Sequence, residues 1–129
     1  IEGYYLMVKS KIQVFKNKKK IGIKDLLKIC QEHHYNFDKK FQVYNDFREK
    51  GYIVSPGIKF GCDFAVYQSG PGIDHAPFLV QVYNRNESMS STDVVLAGRL
   101  ATSVKKQFVL AIPYNNNRID YIALDWWKA

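Results

Sequence analysis

Residues 67–80, YQSGPGIDHAPFLV, carry the strongest fold signal in the sequence. Tyr67 ends one apolar run, His75 stands just before another, and a Gly-Pro-Gly turn separates them. Gly and Pro together favour a tight turn, and the run PFLV is rich in residues that favour strands. The segment therefore predicts a strand, a turn and a second strand that is buried on both faces.

Two helices are predicted upstream of this segment. Apolar residues recur at helical spacing over residues 23–30, and a second periodic run starts after Asn36, a helix-capping residue type, and stops at Gly51. The pieces KIQVF, YIV, IKFG and DFAVY read as short strands around these helices. The apolar positions of the two helices are Ile23, Leu26, Leu27, Cys30, Phe37, Phe41 and Tyr44.

One helix and two strands are predicted downstream. Ser90 and Asp93 have the spacing of a capping box, and Lys105 and Lys106 fall at the other end of the helix, where its dipole favours cations. The runs FVLAIPY and IDYIALDWW read as strands joined by NNNR. This order of elements predicts an α/β fold with a mixed sheet flanked by helices. The apolar positions of the helix are Val94, Ala97, Ala101 and Val104.

Length and composition indicate a globular chain. With 129 residues, 47% of them hydrophobic, it can bury a core of its own. It has no apolar run near the roughly 20 residues of a membrane span and no secretory signal. We therefore expect no membrane partner and a cytoplasmic location, or a nuclear one in a eukaryote. Because the chain starts without methionine, on what reads as the last turns of an amphipathic helix, we expect its natural amino terminus further upstream.

The charge favours a polyanionic partner. Nineteen Lys and Arg against twelve Asp and Glu give a net charge of +7, and each phosphate that a cation neutralises releases counterions. The run KNKKK at residues 16–20 is more typical of a solvated turn, and an RNA contact is the less favoured alternative, supported by net charge only. Cys30 and Cys62 stand far apart without further ligands beside them, which excludes a zinc ribbon and argues against a disulfide framework.

Tyr67, His75 and Lys106 form a candidate catalytic set, because a helix that ends at Lys106 can return to the sheet edge carrying the other two. Metal-free RNA cleavage needs a base for the 2′-hydroxyl, an acid for the 5′-oxygen and a cation for the phosphorane. Histidine suits the acid role near neutral pH. Tyrosine, with a pKa of about 10, is a poor base unless cations such as Lys106 or Arg99 favour its phenolate. Spacing alone leaves ordinary packing and solvation open for each residue.

A metal-dependent nuclease is the alternative that the same fold class offers. Asp63 is a candidate for the first Mg²⁺ ligand, but the next strand has Gln-Val-Tyr at residues 81–83, which leaves too few hard oxygen ligands. His33 and His34 are adjacent, so both cannot face one site from a helix. We therefore expect no metal and no other cofactor.

Three stretches make the sequence similar to a known family. They are YNDFREKGYIVSPGIKFGCDFAVY, GPGIDHAPFLV and GRLATSVKKQFVLAI. The pattern Tyr-x-x-Gly-Pro-x-x-x-His-Ala-x-Phe-Leu-Val, followed by Arg-Leu-x-x-Ser-Val-Lys-Lys, resembles the tRNA-splicing endonucleases, or tRNA-intron lyases. The resemblance runs from about residue 41 to residue 127 and is loose before that.

The resemblance implies a fold and an activity. It implies a restriction-endonuclease-like catalytic domain at residues 36–129, preceded at residues 1–35 by the remnant of a small α+β amino-terminal domain. It also implies metal-independent excision of introns from precursor tRNA at bulge-helix-bulge splice sites. The expected products carry a 2′,3′-cyclic phosphate and a 5′-hydroxyl.

The resemblance also implies a role for each site residue. Tyr67 is the expected general base, His75 the general acid and Lys106 the cation that stabilises the transition state. Arg99 and Trp126 are the expected grip on a flipped bulge base, by stacking on either side of it. For Trp126, burial at a subunit interface is the alternative.

The segment NNNRID, which joins the last two strands, departs from the family pattern. Family members commonly carry an acidic loop there, which docks in a basic cleft of a neighbouring subunit, whereas here Asp120 alone is acidic. We therefore expect a heterotetramer in which this chain is the catalytic partner of a second endonuclease subunit, with a homo-oligomer as the alternative. A non-catalytic, RNA-positioning subunit of the same assembly is the other reading, and it predicts loss of the three catalytic residues, all of which are present.

Overall fold

The computed structural model describes residues 1–125, which form four α-helices and two β-sheets. Among these residues, none of the helices is long and apolar enough to cross a membrane. The helices are α1 (Glu2–Val8), α2 (Ile23–His33), α3 (Phe37–Glu49) and α4 (Ser91–Ser103), with a 3₁₀ helix at Ile58–Phe60. The strands are β1 (Phe15–Lys16), β2 (Lys19–Lys20), β3 (Ile53–Pro56), β4 (Phe64–Tyr67), β5 (Phe78–Val82), β6 (Gln107–Pro113) and β7 (Ile119–Leu124).

The main sheet is mixed. β1 and β2 form a separate antiparallel hairpin, and the other strands pair in the order β3-β4-β5-β6-β7. Neighbours in this sheet are antiparallel, except that β5 and β6 are parallel. A parallel pair needs a crossover connection, and α4 supplies it. The predicted α/β fold with a mixed sheet between helices is confirmed.

Two apolar clusters hold the helices against opposite faces of the sheet. Because successive strand residues point to opposite faces, β5 contributes to both clusters, as predicted for a strand buried on both sides. Buried residues of the α3-side cluster are Tyr5, Val43, Tyr44, Phe47, Val54, Phe64, Val66, Val80, Val82, Val109 and Ala111. Buried residues of the α4-side cluster are Cys62, Ala65, Ala76, Leu79, Ala97, Ala101 and Phe108.

The helix termini follow the sequence signals with one difference. The Ser90 hydroxyl accepts from the Asp93 backbone N–H at 3.1 Å, and the Asp93 carboxylate accepts from the Ser90 N–H at 3.0 Å, so the capping box is confirmed. Gly51, just past α3, has a left-handed backbone with φ of 88°, which suits its predicted role as the helix stop. Asn36 precedes α3 as predicted, but its side chain makes no capping hydrogen bond.

Three local predictions were wrong. KIQVF is not a strand, since β1 starts only at Phe15, next to the turn that sets the hairpin register. IKFG folds into a 3₁₀ helix because the chain turns back on Gly57, whose carbonyl accepts from the N–H groups of Phe60 and Cys62. Val94 is exposed, because the buried stripe of α4 is narrow and consists of small residues.

The packing of α4 on the sheet can be tested with two leucines. Leu79 of β5 is 0% exposed, whereas Leu96 of α4 is 58% exposed. Leu79→Ala should lower the free energy of unfolding by about 3 kcal/mol, because it leaves a cavity between β5 and α4. Leu96→Ala should change it by less than about 0.5 kcal/mol. Urea unfolding measures both, and equal losses would contradict the packing described.

Candidate active site

Three strand ends meet at one edge of the sheet. β4 ends at Tyr67, and because β5 is antiparallel to β4 and parallel to β6, both β5 and β6 start at this edge. His75 lies three residues before β5, and Lys106 lies one residue before β6. The backbone N–H of Gln107 donates to the Pro77 carbonyl at 3.0 Å, which joins the two strand starts. The topology thus brings the three candidate catalytic residues to one edge.

Lys106 is held against the segment that leads into β5. Its Nζ donates a hydrogen bond to the Ala76 carbonyl oxygen at 3.0 Å. The same ammonium lies 5.7 Å from the centre of the Phe60 ring, within the range of a cation–π interaction. These two contacts hold the lysine charge beside the residue that follows His75.

The end of α4 directs Lys106 to this position. The Lys106 N–H donates to the Ala101 carbonyl at 2.8 Å, and the Lys105 N–H donates to the Thr102 carbonyl at 3.2 Å, which is the Schellman pattern of a helix end. Lys105 has φ of 53°, in the left-handed region that glycine prefers. Lys105 therefore makes the turn with its side chain exposed, while the side chain of Lys106 returns to the sheet.

Asp74 closes the turn between Tyr67 and His75. Its carboxylate accepts hydrogen bonds from the backbone N–H groups of residues 68–70, at 2.9, 3.1 and 2.6 Å in chain order. Aspartate side chains often stabilise turns through such bonds to the backbone. The residue before His75 is thereby tied to the three residues that follow Tyr67.

The hydrogen bonds of Asp74 also set its charge. Loss of water contact opposes its ionisation, but the backbone N–H donors outweigh that effect and lower the pKa of the carboxyl below its ordinary value. The negative charge beside His75 is therefore directed at the backbone of the turn. His75 and Lys105 are both exposed.

The surroundings of the site include a groove and a cation on α4. Tyr67 is half-buried at the border of the α4-side cluster. An open groove of about 570 Å³ runs between α4 and β7, with Lys105 and Lys106 in its wall. Arg99 is exposed on α4, about one turn before that helix ends. Trp126, the other predicted RNA contact, lies outside the described residues.

Two residues of the site had no part in the sequence prediction. Asp74 could have been found, because an aspartate four residues after Gly70 in a Gly-Pro-Gly turn is well placed to accept bonds from the turn backbone. Phe60 carried no such signal, since its contact with Lys106 joins residues that are distant in the sequence.

Asp63, the candidate Mg²⁺ ligand, has other partners. One carboxylate oxygen lies 2.7 Å from Nζ of Lys40, and the other accepts from the Val82 N–H at 2.9 Å. The two side chains are 23% and 11% exposed, and the pair links α3 to the residue before β4, which the Val82 bond in turn joins to β5. Burial raises the pKa of the nearby Cys62 thiol to about 11. Within residues 1–125, no group of three or more His, Cys, Asp or Glu residues is arranged to hold a metal ion.

The loop between β6 and β7 carries little free negative charge. Asp120 accepts from Arg118 Nε at 2.9 Å and from the Tyr114 hydroxyl at 2.8 Å. These bonds lower the pKa of Asp120, the tyrosine contributing most, and they direct its carboxylate back into the loop. The three residues before Arg118 are asparagines, and all are exposed.

Comparison with known proteins identifies the relatives of this chain. The family described as "tRNA intron endonuclease, catalytic C-terminal domain" matches residues 37–121. The tRNA-splicing endonuclease of Sulfurisphaera tokodaii is 41% identical over 129 residues, covering 99% of this chain and 72% of that protein. That of Hyperthermus butylicus is 35% identical over 130 residues, with the same two shares. That of Pyrobaculum islandicum is 38% identical over 129 residues, covering 98% of this chain and 70% of that protein.

The fold and these matches define an α/β endonuclease. The chain belongs to the tRNA intron endonuclease family, and its activity is the excision of introns in tRNA splicing. The family and the enzyme class predicted from the sequence are thus confirmed. The alignments cover nearly the whole chain, so the similarity extends into the residues before 41, where the sequence pattern alone was loose.

The role of Asp74 can be tested by pH-dependent stability. Because its pKa is lower in the folded state than in the unfolded chain, its stabilising effect is complete above the unfolded value of about 4 and is lost as the pH falls through the folded value. Asp74→Asn should therefore be less stable than wild type at pH 7, and the difference should shrink below pH 4. Urea unfolding measured between pH 7 and pH 3 gives this difference.

Asp25→Asn, at an exposed position on α2, is the matched control. Amide exchange at residues 68–70 should also accelerate in Asp74→Asn and stay unchanged in the control. A stability difference for Asp74→Asn that does not change with pH would mean that the carboxylate does not bind the turn as described.

Proposed function

We propose that this chain is the catalytic subunit of its endonuclease and cuts precursor tRNA at bulge-helix-bulge splice sites without a metal ion. The 2′-hydroxyl oxygen attacks the adjacent phosphorus, and the bond from phosphorus to the 5′-oxygen breaks. The products carry a 2′,3′-cyclic phosphate and a 5′-hydroxyl. DNA is not a substrate because it lacks the attacking hydroxyl.

Each of the three site residues has one part in this reaction. Tyr67 accepts the proton that the 2′-hydroxyl loses, and His75 gives a proton to the leaving 5′-oxygen. The ammonium of Lys106 stabilises the additional negative charge on the phosphorane oxygens. The proton balance closes because one proton is taken up and one is released in each cleavage.

The hydrogen bond from Lys106 Nζ to the Ala76 carbonyl is the observation that carries this proposal. It holds a cation beside the residue that follows the exposed His75, which supports a joint action of the two side chains on one phosphate. Lys105, the other lysine in this pair, is exposed and has a left-handed backbone, and among the described residues its ammonium has no hydrogen bond like that of Lys106. The geometry therefore favours Lys106 as the stabilising cation.

Recognition of the splice site is assigned to Arg99 and Trp126. A guanidinium and an indole can stack on the two faces of a flipped bulge base. The exposure of Arg99 on α4 supports its part in this grip. An unpaired base would then be needed for efficient cutting, so bulged RNA is the substrate and perfectly paired RNA is not.

Two other functions are less well supported. A non-catalytic, RNA-positioning subunit would not need the tyrosine, histidine and lysine that are present here. A metal-dependent nuclease would need a free carboxylate at Asp63, but both of its oxygens are engaged by Lys40 and the Val82 N–H.

A heterotetramer with a second endonuclease subunit is the proposed assembly. The exposed asparagines before Arg118, together with the internal bonds of Asp120, leave this chain without an acidic docking loop of its own. The partner subunit would supply that loop, with a homo-oligomer of different docking contacts as the alternative. Residues 1–35 are proposed as the end of an amino-terminal domain, and residues 36–129 as the catalytic domain.

Variants of the two lysines and the histidine test the catalytic assignment. Lys106→Ala should lower the single-turnover cleavage rate by about 10²–10³-fold, because it removes the charge that stabilises the transition state. Lys105→Gly should keep the rate within about twofold and raise the free energy of unfolding by about 1 kcal/mol, because glycine relieves the left-handed backbone.

His75→Ala should abolish cleavage while the Kd for precursor tRNA stays nearly unchanged.

The outcome is read from rates, Kd values and unfolding midpoints measured on the same preparations. A larger rate loss in Lys105→Gly than in Lys106→Ala would show that the wrong lysine was chosen. Cleavage by His75→Ala at the wild-type rate would remove the acid assignment.

A further inference from the structure

Positive charge is concentrated in the first 35 residues. Residues 1–35 contain eight lysines and three carboxylates, a net charge of +5, whereas residues 36–129 contain eleven Lys and Arg and nine carboxylates, a net charge of +2. The proposed cleavage site lies in the second of these parts. Most of the excess charge of the protein therefore lies outside that site.

The β1–β2 hairpin carries half of these lysines at residues 16, 18, 19 and 20. Lys16 pairs directly with Lys19, and Asn17 and Lys18 form the turn with φ of 50° and 65°. Positive φ at both central residues is typical of a type I′ turn. Lys18 thus occupies the turn position where glycine is the usual residue, and its side chain is exposed at the tip.

Two features of this hairpin oppose its own folding. Like charges directly opposite each other in a strand pair are destabilising, as Lys16 and Lys19 are. A non-glycine residue in the left-handed region is also unfavourable, as Lys18 is. Neither feature helps the hairpin to fold, and backbone strain of this kind concentrates at functional sites. A bound polyanion would neutralise the two facing charges and would contact the ammonium at the tip of the turn. Polyanion binding is therefore a function that would account for both features.

The surroundings of the hairpin leave its charge largely uncompensated. Among residues 1–125, none of its lysines forms an ion pair, since the cations in the ion pairs are Lys9, Lys40, Lys50 and Arg118. A groove of about 390 Å³ lies between the hairpin and α2, and three of the four lysines line it. Asp25 is the one carboxylate in that groove. Phe15, paired with Lys20, is 59% exposed.

We propose that this hairpin is a second RNA contact, which binds the phosphate backbone of precursor tRNA away from the cleavage site; the identity of this RNA rests on the proposed function. The exposed Phe15 ring among lysines favours RNA over an acidic protein, because an aromatic ring can stack on an unpaired base. The hairpin leads into α2, and α2 packs against α1 and α3. Tyr67 lies elsewhere, at the border of the α4-side cluster. The two sites therefore hold different parts of one RNA.

The salt dependence of binding tests this contact. The ligand is a fluorescent, intron-bearing precursor tRNA with a 2′-deoxy nucleotide at each splice site, so that it binds without being cut. In the variant with Lys18, Lys19 and Lys20 changed to Gln, Kd at about 0.1 M salt should rise by about one to two orders of magnitude. The slope of log Kd against log salt concentration should fall by about 2–3, because three phosphate contacts are lost.

The matched control changes Lys9, Lys39 and Lys50 to Gln. It removes the same three charges, but these lysines contact Glu49, Asn115 and Asp46. Its slope should stay within about 1 of the wild-type slope. Equal slopes in the two triple variants would overturn the proposal, because they would show that net charge alone and not the hairpin determines binding.

Lys18→Gly separates binding from folding. It removes one charge and at the same time supplies the residue that the type I′ turn prefers, so the thermal midpoint should stay equal or rise while RNA binding weakens by about threefold or more. Binding that stays at the wild-type level in this variant would overturn the role of the tip.

Cleavage measured on the unmodified RNA distinguishes this proposal from the proposed function. The hairpin variant should raise KM and keep kcat. If the wild-type protein binds with a slope that depends on the hairpin and yet does not cut, the proposed function fails and the hairpin contact stands. If the wild type cuts and the hairpin variant keeps both its KM and its salt slope, the hairpin contact alone fails.

Discussion

The parallel pairing of β5 and β6 is the constraint on which the rest of this structure depends. A parallel pair cannot be joined by a tight turn, so the chain must cross over the sheet, and α4 is that crossover. The crossover returns the chain to the edge where β5 starts, and this brings Lys106 beside Ala76. Without this pairing, the chain would not bring Lys106 to the strand start that His75 precedes.

Local backbone geometry then fixes the details of the edge. At the end of α4, a Schellman turn with Lys105 in the left-handed region points one lysine outward and the next inward. In the turn after β4, the Asp74 carboxylate binds three consecutive N–H groups and fixes the residue before His75. Proton-transfer groups must be held within a fraction of an ångström to act together, and main-chain bonds of this kind provide such support.

The sequence predicted the parts of the fold that depend on local pattern. The capping box at Ser90, the stop at Gly51 and the double-sided burial of β5 follow from residue type and periodicity, and each is present. The edge at which Tyr67, His75 and Lys106 gather was expected from chain order, but their chemical roles came from the family resemblance and stay a proposal.

Other features depend on contacts that no local pattern encodes. The 3₁₀ helix at Ile58–Phe60 forms because the chain folds back on Gly57, and its Phe60 ring meets Lys106 from a distant part of the sequence. The pairing of Asp63 with Lys40 likewise joins α3 to the residue before β4, so a carboxylate that reads as a metal ligand in the sequence has a structural partner. The basic run at residues 16–20 reads as a solvated turn in the sequence, and only the backbone shows that Lys16 and Lys19 lie opposite each other in a hairpin.

The chemistry of the cut ends tests the central claim most directly. The protein, alone and with candidate partner subunits, is incubated with intron-bearing precursor tRNA in EDTA, and the termini of the products are determined. Metal-free transfer from the 2′-hydroxyl predicts cleavage at both splice sites, with 2′,3′-cyclic phosphate and 5′-hydroxyl ends. Cleavage that requires Mg²⁺ and leaves 3′-hydroxyl and 5′-phosphate ends would contradict it.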